Sequence, residues 1–365
     1  MLRWLARIVL GAVTIVIATL AAFLVDEKTD HFTLVKRINN PELKTVKPEF
    51  TGNALDQRDR FFDEANPYLP SMFSVVKWKL GGNPLADEKK ADTWRPEVRD
   101  PSESLSSGRD GIMWLGHASF YIRVGGVAVL TDPVFGDSRF LRRMMPVAAQ
   151  LPFIDKVDYV VISHDHRDHM DEQSVRDISA KFPNATFIAG LRSEDILKGW
   201  TTPTNRIATA GWFQEIPTGN DGVKIYFLPA RHWSRRGLLD TNYRLWGSFL
   251  IQIGDKTIYF GGDSGYSQHF REIGEIFPKI DYFIVGIGAY EPRWVMEPNH
   301  QNPEEAVRAF VDAKAGVLIP MHYGTFDLTD EPASWPLRQL KEAATSQGVA
   351  EKMRPLAINE ALGIE

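Results

Sequence analysis

The chain of 365 residues contains no cysteine. That absence excludes disulfides, a thiolate nucleophile and any cysteine-liganded zinc or iron–sulfur site. A basic excess is lacking too: 42 Lys and Arg stand against 47 Asp and Glu, a formal charge of −5. Nucleic-acid binders usually carry clustered positive charge, so no nucleic-acid partner is expected. Long apolar runs are scarce; one lies at the N-terminus and no second follows. What remains is an ordinary globular composition, 44% hydrophobic and 24% charged, with ample length for a substantial core. With nine histidines and no thiol, any catalytic metal must be held by imidazole and carboxylate.

The apolar run covers Ile8–Val25, 18 positions without a charge. As a helix it reaches about 27 Å, close to the hydrocarbon thickness of a bilayer. Arg3 and Arg7 precede it, and Asp26 and Glu27 follow it. The positive-inside bias puts the N-terminus in the cytoplasm and the rest of the chain outside, the periplasmic side of the inner membrane in a bacterium. Residues 1–25 are therefore expected to form a single-pass transmembrane anchor. A cleaved signal segment is the alternative, with Thr19-Leu20-Ala21 as its best processing site.

Residues 26–110 are polar and rich in turn formers, with aromatics set among prolines as in Thr93-Trp94-Arg95-Pro96. They read as an arm wrapped on a domain rather than a domain. From Gly111 to the end of the chain the texture changes. Short β-branched runs recur at 112–115, 120–124, 127–130, 157–162, 224–228, 249–253, 257–260, 282–285 and 317–319. Helices are expected between some of them. One is capped by Asp171 and stopped by Pro183. A second starts at Asn302, with Pro303 at its first position and Glu305 completing a capping box. The last runs from near Ser334 to Gly348. The pattern is a layered α/β domain over residues 111–365.

The densest chemistry is Ser163-His164-Asp165-His166-Arg167-Asp168-His169, directly after the apolar strand ending at Ile162. So many imidazoles and carboxylates at a strand end cannot pack without a partner. Alternation along the loop lets His164 and His166 face one metal while Asp168 and His169 face another. Further donors each follow a strand: His232, Asp263 and His322. A lone histidine after a strand is commonly a satisfied polar residue; three such donors besides the loop point to one shared centre.

H-x-H-x-D-H followed by a later His, a Gly-Asp and a final His resembles the signature of the metallo-β-lactamase superfamily. Narrower strings are similar to the branch of N-acylphosphatidylethanolamine-hydrolysing phospholipase D: Trp114-Leu115-Gly116-His117-Ala118-Ser119-Phe120, Leu130-Thr131-Asp132-Pro133, Ala230-Arg231-His232-Trp233, Gly262-Asp263-Ser264-Gly265-Tyr266 and His322-Tyr323-Gly324-Thr325-Phe326. The resemblance implies an αββα four-layer sandwich beside the transmembrane helix, with two zinc ions at one edge; iron and manganese are the alternatives. It implies that His164, His166 and His232 hold the first metal and that Asp168, His169 and His322 hold the second, with Asp263 bridging. A hydroxide between the metals would then attack a phosphodiester. Asp168 and His300 are the catalytic candidates. His300 matches the family's substrate-side histidine, as a phosphate contact or leaving-group acid, although its flanks Asn299 and Gln301 depart from the family string and a surface position remains open.

Other residues carry weaker expectations. His117 is expected to support the centre rather than ligate. His31 and His269 are expected at the surface. Asp132 either orients a ligand histidine or caps a turn. Arg139, Arg142 and Arg143, among Phe140, Leu141, Met144 and Met145, suit either a loop facing an anionic bilayer or an amphipathic helix. Trp233, Trp246 and Trp294 line the pocket or pack the sandwich. The function implied is a membrane-anchored, zinc-dependent phosphodiesterase of phospholipase D type acting on a phospholipid. The alternatives are a lactonase or β-lactamase acting on a small ester or amide, and a non-enzymatic metal-bound envelope scaffold.

Overall fold

A computed structural model of the chain describes residues 32–364, apart from 107, 138–140, 142 and 148. The apolar run Ile8–Val25, His31 and the loop residues Arg139, Phe140 and Arg142 lie outside the described residues. No helix among the described residues is long and apolar enough to cross a membrane.

Each β-branched run forms a strand, because its side chains alternate between two apolar surroundings. The strands are β1 (Lys36–Ile38), β2 (Asn53–Leu55), β3 (Phe61–Phe62), β4 (Gly111–Gly116), β5 (Ser119–Val124), β6 (Val127–Thr131), β7 (Tyr159–Ile162), β8 (Thr186–Gly190), β9 (Arg206–Ala210), β10 (Gln214–Ile216), β11 (Val223–Leu228), β12 (Ser248–Ile253), β13 (Lys256–Phe260), β14 (Tyr282–Gly286), β15 (Val317–Met321) and β16 (Ala361–Gly363). One large sheet has seven strands in the order β16-β4-β5-β6-β7-β8-β9, and the other has six in the order β10-β11-β12-β13-β14-β15. Strands β6 to β9 pair in parallel, as do β13 to β15. Parallel neighbours need crossover connections; between β6 and β7 the connection carries the short 3-10 turn Leu151–Phe153, and helices serve the other four. Glu172–Lys181 joins β7 to β8, Glu194–Trp200 joins β8 to β9, His269–Ile276 joins β13 to β14, and Pro303–Asp312 lies between β14 and β15.

The two-residue period of a strand sorts the core. Ile112, Trp114, Phe120, Ile122 and Val161 of the first sheet share a cluster with Ile225, Phe227, Phe249 and Ile251 of the second. The intervening residues Met113, Leu115, Tyr121, Val160 and Ile162 face the opposite way, onto Val175, Ile178 and Leu197 of the crossover helices. On the far side of the second sheet, Ala306, Val307 and Phe310 bury one face of Pro303–Asp312, and Leu340 and Ala344 bury one face of Trp335–Ser346. The result is helix, sheet, sheet, helix. The helix starts behave as their sequences require. Asp171 accepts from the Ser174 N–H at 2.9 Å. Asn302 accepts from the Glu305 N–H at 2.8 Å while Glu305 accepts from the Asn302 N–H at 2.9 Å.

Several elements were not expected. Strands β9, β10 and β16 are edge strands, and an edge buries less apolar surface and so shows a weaker pattern; β8, also not expected, is an interior strand whose five residues carry only two large apolar side chains, Phe187 and Ile188. The stretch before Gly111 contains the small sheet β1-β2-β3, built from strands of two or three residues. Leu55 and Phe61 of that sheet enter the main core. His269 corrects the expected surface position: it is buried, with Nδ1 2.6 Å from Ser267 Oγ.

Candidate metal centre

All the donor residues sit where strands end on one edge of the sandwich. His117 follows β4, Asp132 follows β6, His164 to His169 follow β7, His232 follows β11, Asp263 follows β13, and His322 follows β15. Three of these have left-handed backbones although none is glycine: His117 at φ 53°, Asp132 at φ 31° and His322 at φ 62°. Such conformations persist only where the surroundings over-determine them, and they collect at functional sites. Gly262, at φ 55°, must be glycine; a Cβ there would lie 2.6 Å from the Ser163 Cβ. This close approach brings the Asp263 turn against the His164 loop.

Two groups of donors form. In the first, His166 Nδ1 lies 2.9 Å from His164 Nε2 and 3.2 Å from His232 Nε2. In the second, Asp168 Oδ2 lies 3.1 Å from His117 Nε2, 3.5 Å from His322 Nε2 and 3.6 Å from His169 Nε2. Asp263 stands between them. Its Oδ2 is 3.1 Å from His169 Nε2, 3.8 Å from His232 Nε2 and 3.9 Å from His164 Nε2, and its Oδ1 is 3.1 Å from His322 Nε2. Each group contains at least three donor atoms close enough together to hold an ion. His300 joins the rim: it is half-buried, with Nδ1 3.8 Å from Asp263 Oδ2. The structure thus brings together all seven residues expected as ligands, with His300 beside them and His117 touching Asp168.

The electrostatics suit a cation. Burial drives the pKa values of His164 and His232 far down and that of His166 down to about 4, so these rings are neutral and present lone pairs. Burial opposes ionisation of Asp168 and Asp263 as well, but neighbouring histidines, His169 foremost, hold both carboxyls well below the usual range. At His169 and His322 burial opposes the charge and the two carboxylates outweigh it; His169 is raised well above its ordinary value and His322 to about 9. Two protonated rings against two carboxylates are the balance a metal-free centre needs. The buried Nε2 atoms of His169 and His322 and the Oδ1 of Asp263 make no well-formed hydrogen bond. A hard or borderline divalent cation fits these nitrogen and oxygen donors.

A second layer of contacts fixes the donors. Asp132 Oδ2 accepts from His169 Nδ1 at 2.7 Å, and Asp132 Oδ1 accepts from the Ser163 N–H at 2.7 Å. His232 Nδ1 is 3.1 Å from the Asn299 carbonyl, which turns Nε2 inward. Of the two roles open to Asp132, the structure shows contact with a donor histidine. Trp233 packs on the His166 ring, Trp246 is fully buried in the sandwich, and Trp294 is exposed.

Arg244 belongs to no motif in the sequence and is a structural finding. Its guanidinium binds Asp165 at 3.1 Å, Asp240 at 2.8 Å and Asp195 through two bonds of 2.8 and 2.6 Å. Asp165 lies between His164 and His166, so this cluster pins the loop from behind. A charge just before an apolar strand, in Tyr243-Arg244-Leu245-Trp246, was the one available signal.

Fold and donor set together define the class of metal-dependent hydrolases built on the metallo-β-lactamase fold. Residues 128–323 match the model of the β-lactamase superfamily domain, and the chain belongs to that superfamily. It is 37% identical over 253 residues to an uncharacterized protein of Mycobacterium tuberculosis, covering 67% of this chain and 66% of that one, just under two thirds of the relative's length. It is 31% identical over 314 residues to N-acyl-phosphatidylethanolamine-hydrolyzing phospholipase D 1 of Caenorhabditis elegans, covering 81% of this chain and 88% of the relative. Among solved structures, the metallo hydrolase Igni18 of Ignicoccus hospitalis aligns with a TM-score of 0.52 at 22% identity, over 70% of this chain and 97% of that one, a likeness of fold alone.

Proposed function

We propose that the protein is a membrane-anchored phosphodiesterase of phospholipase D type, acting on N-acylphosphatidylethanolamine or a related phospholipid with two zinc ions bound. The observation that carries the reading is the pair of donor groups joined by Asp263, with His300 beside them. Similarity to the nematode phospholipase supports the choice of substrate. His164, His166 and His232 would hold one ion, Asp168, His169 and His322 the other, and Asp263 both. When bound, such a pair lowers the pKa of a coordinated water toward neutrality and offsets charge on a phosphoryl group.

The chain's own residues do the positioning. His300 has its pKa pushed down to about 4 by burial, so it is neutral near pH 7. A neutral imidazole offers one N–H donor, which suits contact with a phosphoryl oxygen better than delivery of a proton to the leaving group. Trp233 packs edge-on against the His166 ring and fixes its orientation. Residues Ile8–Val25 would anchor the chain with its catalytic part outside the cytoplasm, a placement checked by protease access in vesicles of known sidedness.

The test is turnover by purified, metal-loaded protein. Release of phosphatidic acid from N-acylphosphatidylethanolamine in mixed micelles is expected. Hydrolysis of lactones without phospholipid turnover would replace this reading with that of a small-ester hydrolase. Inactivity on every substrate despite full metal loading would leave a scaffold.

A further inference from the structure

The helix Met72–Gly81 reads Met-Phe-Ser-Val-Val-Lys-Trp-Lys-Leu-Gly. Its inner face is anchored: Trp78 is buried with Val295 and Met296, and its Nε1 donates to Asp330 at 2.8 Å. Its outer face is apolar as well. Phe73, Val76 and Leu80 follow the i, i+3, i+7 spacing of one stripe, yet they are 71%, 48% and 83% exposed. Apolar side chains gathered on a protein surface commonly mark a site of association.

The stripe continues onto two other elements. Arg235 Nη1 lies 3.6 Å from Met72 Sδ, and three residues beyond it the loop tip presents Leu238 and Leu239, 93% and 88% exposed. Lys77 lies 5.3 Å above the ring of Trp294, which is also exposed. These features adjoin the donor cluster. Arg235 lies over Trp233, which packs on His166. The Met296 carbonyl, beneath the helix, accepts from the His300 N–H at 2.8 Å.

The charges around the stripe select its occupant. Lys77, Lys79 and Arg235 are basic, and the helix carries no acidic residue. The carboxylates beside the patch are paired: Asp240 after the leucine tip with Arg244, and Glu297 after Trp294 with Arg231. Leucine and aromatic side chains ringed by lysine and arginine match the interface of an anionic bilayer, where rings enter the acyl boundary and cations stay among headgroups.

We propose that the outer face of Met72–Gly81, with Trp294 and the Leu238–Leu239 tip, lies on an anionic lipid surface and holds the His166 and His300 side of the donor cluster toward it. This deepens the phospholipid reading and rests on it for the identity of the surface. Other occupants of the same face, a second copy of the chain or its own N-terminal segment, are outcomes of the test.

The cysteine-free chain makes the test direct. Single Leu80→Cys, Leu238→Cys and Val311→Cys variants of the full chain carry an environment-sensitive fluorophore. Val311 is exposed near the end of the helix that leads back toward the start of β15, at the opposite end of that strand from His322. Folding is checked by the thermal midpoint of each labelled protein. The proteins are mixed with vesicles of phosphatidylcholine and phosphatidylglycerol containing shallow spin-labelled lipid. A blue shift and loss of emission at positions 80 and 238, absent at 311 and weaker with pure phosphatidylcholine, is the expected result. Because the probe reads position, attachment through Ile8–Val25 alone leaves all three labels unchanged and overturns the proposal. Shielding from an aqueous quencher at 80 and 238 without lipid quenching also overturns it, in favour of a protein occupant. Quenching at both positions without phospholipid turnover would retain the docking surface while removing the substrate assigned above.

Discussion

Asp132 and His169 face each other across 2.7 Å, both fully buried, with the carboxylate accepting from Nδ1. The same carboxylate takes the N–H of Ser163 at 2.7 Å and its hydroxyl at 2.5 Å. One side chain thus orients a donor ring and secures the first residue of the loop. Contacts of this kind fix the tautomer of a ligand histidine, and their loss typically costs 10–100-fold in metal affinity or activity. Asp132→Ala is expected to lower both by about that factor. Metal titration and hydrolysis rates on one preparation check it; unchanged metal affinity would show that His169 needs no such support.

Arg244 tests the loop from the opposite side. Its guanidinium faces Asp165, Asp195 and Asp240, while Asp165 is completely buried. Removing one partner of a buried ion pair leaves an uncompensated charge and costs about 3–5 kcal/mol. Arg244→Met is expected to destabilise the protein by that order in chemical denaturation. Arg244→Lys is expected to fall between, because a single ammonium cannot reproduce the forked contact with Asp195.

The sequence disclosed the centre well because its donors follow strands with strong apolar patterns. His164, His232, Asp263 and His322 each come just after β7, β11, β13 and β15, all legible from their β-branched runs. The edge strands Arg206–Ala210 and Gln214–Ile216 were harder than the edge strand β15, since they carry polar residues that an edge tolerates. Arg244 stayed hidden because its partners Asp165 and Asp195 lie 79 and 49 residues away, and nothing local announces them. His269 was misplaced for a related reason. Its polar neighbours Ser267 and Ser264 give it hydrogen-bonding company inside the protein, but in sequence they look like a solvated turn.

Metal loading is expected to release protons. In the metal-free centre His169 is held protonated and His322 has a pKa of about 9, so near pH 7 both rings carry a proton on the side where a cation would bind. Coordination requires neutral imidazole, and binding must displace those protons. Calorimetric titration of zinc in buffers of different ionisation enthalpy should give about two protons released from the rings per fully loaded chain, and up to one more from a coordinated water. Asp263→Ala is expected to weaken both sites together, whereas His232→Ala leaves the group around Asp168 intact. Independent loss of a single metal in Asp263→Ala would remove the shared role of that carboxylate.

His269 gives the pH dependence a defined sign. Burial, with Arg231 adding repulsion, pushes its pKa down to about 3 from an ordinary value of 6.5. Above pH 6.5 the ring is neutral in both folded and unfolded chains and adds no slope. Between 6.5 and 3 the unfolded chain takes up a proton that the folded chain refuses, so stability falls as the solution is acidified. At pH 5 the difference amounts to about 2 kcal/mol. His269→Gln is expected to flatten the acid limb by that amount relative to the unsubstituted chain. Both proteins are compared metal-free in urea at pH 7 and pH 5, so the other buried histidines contribute equally to each and cancel. Parallel acid limbs in the two proteins would mean that His269 accepts its proton without unfolding, and that the contacts with Ser267 and Ser264 open to solvent.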